Sequence, residues 1–248
     1  MTQTSSKNWL IRVGDFLFKW RNYLFPVIVL GLFLPFVPTA SYMNSVALEE
    51  AKDAFAIFLV LAGLAFRSMT IGWAYIKRGG LNKQVYADKL VTGGFFGVCR
   101  NPLYVGNILI YVGLFVLHGH PLVIILGTAL YIFIYLAITA AEEYFLTGKF
   151  GEEYSRYCAA VPRFIPDFSK YKAATAGMNF SVRRALFKDY TTIFNSILAV
   201  VVVESIENIR NATSAWDPMM LFSLSLFACA TVLFVSVGYI KKTSNAKI

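Results

Sequence analysis

Apolar residues gather into six runs, at roughly 24–43, 54–76, 103–119, 121–141, 190–206 and 218–240, separated by stretches rich in polar residues, Gly or Pro. A helix needs about 20 apolar residues to cross ~30 Å of hydrocarbon. The pattern therefore predicts an all-α, polytopic transmembrane helical bundle of about six spans. The third and fourth runs are short and joined by His118-Gly119-His120-Pro121, which predicts a tight helical hairpin. Residues 9–22 place Trp9, Val13, Phe16 and Trp20 on one helical face and Arg12, Asp15 and Lys19 on another. That amphipathicity predicts an interfacial helix lying on the membrane. Pro26, Pro35 and Pro38 predict a first span that is kinked or frayed at its outer end. The chain thus divides into an interfacial segment, 1–23, a core of four spans with a following polar segment, 24–170, and an extension with two further spans, 171–248.

Composition agrees with this division: 57% of the 248 residues are hydrophobic and 15% are charged, against about a quarter charged in a soluble domain. The net charge of +9 raises nucleic acid as a partner, but its placement argues otherwise. Twenty of the 23 Lys and Arg residues fall in the first 21 residues, in loop 77–102, in segment 142–189 and at the C-terminus. The positive-inside rule puts both termini and both large loops in the cytoplasm of a bacterial inner membrane or an endoplasmic-reticulum-type membrane. The basic charge is topological, and no nucleic-acid partner is expected. The polar first 20 residues do not read as a cleavable signal peptide. Cys99, Cys158 and Cys229 show neither disulfide nor metal-ligand spacing, and His118 and His120 read as a polar turn, so no metal is expected.

Candidate chemistry lies in two cytoplasmic segments. The first, 77–107, carries the glycine pairs Gly79-Gly80 and Gly93-Gly94 and ends in CRNPLYVGN, residues 99–107. There Pro102 starts a helix beside Arg100 and Asn101. The second, 141–168, leaves the fourth span at Glu142-Glu143 and closes on VPRFIP. A helix C-terminus favours cations, so two carboxylates at this end call for a partner: a bound cation or amine, Arg100 or Arg163. Within the second span Arg67 lies about 14 Å deep at 1.5 Å per residue. An intramembrane Arg marks ligand binding or pairing inside the bundle, unless it snorkels. Glu204, near the outer end of the fifth span, is a candidate contact to another helix, and Asn211-Ala212-Thr213 matches a glycosylation sequon.

Taken together, LVTGGFFGVCRNPLYVGN, EEYFL and FGEEYSRYCAAVPRFIP resemble the integral-membrane methyltransferases, which include the isoprenylcysteine carboxyl methyltransferases and the phospholipid methyltransferases. The similarity spans about residues 54–168. It implies S-adenosylmethionine as methyl donor and a lipophilic acceptor, a prenylcysteine carboxylate, a phospholipid amine or a related lipid, entering from the bilayer. By motif, Val91, Thr92, Gly93, Arg100, Asn101, Tyr104, Glu142 and Glu143 would line the cofactor pocket. Arg163 and Glu143 would stand at the reacting groups, and Arg67 and Tyr154 are candidate acceptor contacts. Tyr104, Tyr154 and Tyr157 offer faces for adenine or for a sulfonium. Much of the family has His where this chain has Asn101, which forms hydrogen bonds but takes no proton near neutral pH. Two other readings stand beside this one: an NADPH-dependent enzyme like the membrane sterol reductases, and a non-catalytic lipid-binding protein.

Overall fold

The computed structural model describes residues 7–38, 45–74, 85–211 and 218–243. Gly79-Gly80, most of the basic loop before residue 85 and two of the three sequon residues lie outside these. The architecture is all-helical, with no strand among the described residues. Helices α1 (Trp9–Phe33), α2 (Val46–Trp73), α3 (Pro102–His118) and α4 (Pro121–Phe150) precede a short α5 (Glu152–Ala160) and a single turn α6 (Tyr171–Ala174). Helices α7 (Val182–Asn211) and α8 (Pro218–Thr243) follow.

Of these, α1, α2, α4 and α7 are long and apolar enough to cross a membrane, while 102–118 and 224–240 are shorter apolar stretches. The chain is an integral membrane protein, and its six apolar runs resolve into four long helices and two shorter ones. The expected hairpin is present: α3 ends at Gly119, whose φ of 76° is left-handed, and Pro121 opens α4.

Two expectations need correction. The interfacial helix over 9–22 is not separate from the first span. Asn8 caps a single helix through its side chain, which accepts from the Ile11 N–H at 3.0 Å, and that helix runs through Pro26 to Phe33. Nothing between residues 22 and 24 breaks it, and Phe18 and Phe25 pack against Tyr131 and Tyr135 of α4. Glu142 and Glu143 are likewise not at a helix end, because α4 continues to Phe150.

The centre of the bundle is the α2–α3 pair, which meets along a seam of small residues. A Cβ on Gly63 would stand 2.5 Å from the Gly106 carbonyl oxygen, and one on Gly113 would stand 2.8 Å from that of Ala56. With no hydrophobic drive between helices in lipid, such close backbone contact is what holds spans together. Below this seam Arg67 is buried, 5% exposed. Its Nε donates to Asp189 Oδ2 at 2.9 Å, Nη2 to Asp189 Oδ1 at 2.5 Å and to Thr192 Oγ1 at 3.2 Å, and Nη1 to Asn107 Oδ1 at 2.5 Å. One guanidinium therefore ties α2 to α3 and α7. Arg184 adds a second tie, its Nε donating to the Ile71 carbonyl at 2.8 Å and Nη2 to that of Trp73 at 3.0 Å, which caps the C-terminus of α2 with a cation.

Gly106→Val is expected to cost about 2–3 kcal/mol, since its side chain would meet Arg67 and the Gly63 backbone. Gly148→Ala, with nothing within 4 Å of the new Cβ, should leave thermal unfolding in detergent undiminished. Asp189→Leu leaves a buried guanidinium without its counter-ion and is expected to cost about 3–5 kcal/mol. The double variant Arg67→Met/Asp189→Leu should recover most of that loss in the same melting measurement.

Candidate functional site

Pro102 sets the start of α3 and so holds Arg100 and Asn101 just outside it, with Tyr104 in its first turn. Across from them α4 carries Glu142 and Glu143 about 32 Å from Pro121, near the hydrocarbon edge. The Tyr104 hydroxyl donates to Glu142 Oε1 at 2.7 Å. Glu143 faces two guanidiniums. Arg163 binds it in a fork, Nε to Oε1 at 3.1 Å and Nη2 to Oε2 at 2.7 Å, and Arg100 Nη1 lies 3.3 Å from Oε1. Such two-point pairing fixes orientation as well as charge.

The segment after α5 is strapped onto this corner. The Arg100 amide donates to the Pro162 carbonyl at 2.8 Å, Asn101 Nδ2 to that of Arg163 at 3.0 Å, and the Asp167 amide to that of Val98 at 3.0 Å. Tyr157 donates its hydroxyl to the Phe96 carbonyl at 2.7 Å. On the other flank, Lys149 donates to the Ala87 carbonyl and holds down the segment 85–91. Burial, then the charge of Glu143, raises the Tyr154 hydroxyl above its ordinary range, so it stays a protonated donor. Burial also pushes the Cys99 thiol up to about 12, which makes it an inert packing group and not a nucleophile.

These groups form the mouth of a cavity of about 1200 Å³. Val91, Arg100, Asn101, Tyr104, Glu142, Glu143, Tyr154 and Arg67 all line it. Farther in, the lining turns apolar, with Phe25, Val29, Ile110, Leu114, Ala199 and Val202. Thr92, Gly93 and Arg163 are not on its wall: Gly93 faces Met178, and Arg163 stands behind Glu143. Arg67 reaches the wall with its guanidinium already bonded to Asp189, Asn107 and Thr192.

Sequence reasoning missed the contributions of α1 and α7. Asn22 and Pro26 of α1, and Thr191 and Asn195 of α7, also line the cavity. The available signal was Thr191-Thr192 and Asn195-Ser196, two polar pairs four residues apart inside an apolar run. At the opposite end of the bundle, carboxylate oxygens of Glu49, Asp53 and Glu207 lie within 4.8 Å of one another, with Lys52 paired to the first two. No residue of that acidic group is on the cavity wall.

The arrangement is a charged and aromatic mouth above an apolar corridor. Residues 52–153 match the phospholipid methyltransferase family. The chain is also 30% identical, over 118 residues, to the cobalt-zinc-cadmium resistance protein CzcN of Cupriavidus metallidurans. That alignment covers 47% of this chain and 52% of CzcN, so the chain spans about half the length of the curated relative it matches. No solved structure matches.

Glu143→Gln removes the anchor shared by Arg100 and Arg163, two charge-assisted contacts each worth about 1.5–3 kcal/mol. Hydrogen exchange at the Arg100 and Asp167 amides, which hold the strap, is expected to accelerate about tenfold or more in this variant. The exchange of amides in the middle of α2 should not follow.

Proposed function

We propose that this protein transfers a methyl group from S-adenosylmethionine to a lipophilic acceptor, at the membrane face where the basic residues gather. That face is the cytoplasmic one by the positive-inside rule. One observation carries the reading: a single cavity joins Glu142, Arg100 and Tyr104 to an apolar corridor. The donor needs a place for cations, a place for a carboxylate and an aromatic surface, while the acceptor needs hydrocarbon. The residues present fit the donor. Arg100 lines the mouth with its Nη1 beside Glu143, and its buried Nε has no hydrogen-bond partner. Glu142 accepts from the neutral Tyr104 hydroxyl, and Arg21 of α1 lines the same cavity.

The donor, when bound, supplies a methyl carbon already activated by its sulfonium, so the chemistry is an in-line displacement in which positioning and exclusion of water dominate. Glu142 would face the donor's cationic groups and Arg100 its carboxylate. Glu143 and Arg163 act behind them: their fork fixes the Arg100 side chain and ties the strap to the site. Tyr104 orients Glu142 through its hydroxyl. Residues 24–170 would then be the catalytic core, and 171–248 the extension that completes the acceptor wall. An acceptor carboxylate is a nucleophile as it stands, whereas an ammonium must first lose a proton. For such an acceptor Glu142 would be the base in place of a donor contact, since Asn101, which donates to the Arg163 carbonyl, takes no proton near neutral pH.

Purified protein is expected to be thermally stabilised by S-adenosylmethionine or its demethylated product, and to pass labelled methyl into a membrane lipid extract. Glu142→Gln should lower that transfer about a hundredfold. Stabilisation by NADPH alone would overturn the reading in favour of a reductase. Donor binding with no transfer to any lipid, prenylcysteine or thiol would identify a non-catalytic lipid-binding protein.

A further inference from the structure

Both long walls of the cavity come from helices outside residues 52–153. Helix α1 turns Asn22, Pro26 and Leu30 toward it, one per turn and each exposed. Helix α7 turns Thr191, Asn195 and Val202 toward it, also exposed and on one helical face. The floor is α3, through Asn107, Ile110 and Leu114. Helix α1 is packed on α4 and α7 on α2, so the two stand on opposite flanks. They converge at the far end, where Phe33 and Val200 both pack against Ala56, Leu117 and Val203. The result is a cleft closed at its apolar end.

Its polar groups are of one kind. Thr191 and Asn195 are a hydroxyl and an amide. Pro26 brings no N–H to the Asn22 carbonyl, which adds an uncharged acceptor on the opposite wall. The two charges at this level, Arg67 and Asp189, satisfy each other. A charged group on a ligand would be buried here without a counter-ion, which is strongly unfavourable, whereas an uncharged one finds hydrogen bonds. Depth follows from helix rise. Thr192 and Asn107 share Arg67 and so lie at one level. Asn195 is three residues deeper and Tyr104 three residues shallower, about 9 Å apart in all.

We propose that the α1–α7 cleft seats the acceptor, and that Asn195 with Thr191 sets its specificity. Asn195 takes an uncharged hydrogen-bonding group, such as a carbonyl or a hydroxyl, about 9 Å below the level of Tyr104 on an otherwise apolar chain, with Thr191 about 6 Å shallower on the same wall. The identity of the reacting end rests on the methyltransferase reading; occupancy of the cleft does not.

The test uses the full chain in nanodiscs of phosphatidylcholine bearing a diazirine at the end of one acyl chain. Photolysis is expected to give adducts at Leu30 and Val202, besides those at Val232 and Leu233 on the outer face of α8. Asn195→Trp, which fills the cleft, should reduce the first set at least tenfold and leave the α8 adducts as an internal standard. Absence of cleft adducts in the unaltered chain, or their persistence in Asn195→Trp, overturns the seat. Asn195→Leu keeps the branched shape and removes the hydrogen-bonding amide. It should raise KM for the lipid extract about tenfold, with kcat changed less than twofold; an unchanged KM overturns the specificity role. Cleft labelling without any methyl transfer by the unaltered chain sinks the methyltransferase reading alone, and transfer without cleft labelling sinks the cleft alone.

Discussion

The buried pairing of Arg67 with Asp189 is the constraint on which the rest of the site depends. A lone guanidinium in hydrocarbon is costly, so the Arg67 side chain recruits a carboxylate, an amide and a hydroxyl from two other helices. Doing so fixes α7 beside α2 and α3 at one depth. Without it α7 keeps only the Arg184 tie at the end of α2, because hydrophobicity alone does not drive helices together in a bilayer. The polar cluster therefore sets register, a task the packing of Ile, Leu and Val cannot perform there.

Around that anchor, the cavity is divided between the helices of the segment 52–153 and the helices on either side. The segment 52–153 supplies α2, α3 and α4, and with them Arg100, Tyr104, Glu142 and Glu143. Helices α1 and α7 supply the long walls, with polar groups at Arg21, Asn22, Thr191 and Asn195.

Much of the fold was legible because membrane helices announce themselves as apolar runs. The hairpin at Gly119 was readable for the same reason, with Pro121 marking the restart. The merging of 9–22 with the first span was not, since an aromatic stripe is equally suited to a membrane surface and to another helix; the presence of α4 decides between them. In the site, the order of the CRN and EE motifs sufficed to bring Arg100, Tyr104, Glu142 and Glu143 together. Their detailed partners were less accessible. Glu143 takes both arginines while Glu142 takes a tyrosine, and adjacent residues on a helix point about 100° apart, so the choice is made by α3 and the strap. The partner of Arg67 is 122 residues away, and no local pattern marks such a pair. A polar stripe in α7 was present in the sequence but reads as a span until a cavity is seen beside it.

The hairpin turn has a further consequence, in terms of the bilayer itself. Helices α3 and α4 are of unequal length, 17 and 30 residues, and both are measured from the same turn at Gly119. Tyr104 and Glu142 are therefore held at a set distance from the opposite membrane surface, and the turn is the zero of that scale. The thickness of the surrounding lipid, more than any residue at the mouth, determines whether the Tyr104–Glu142 corner lies among headgroups or beneath them. The protein carries a ruler, and the membrane is what it measures.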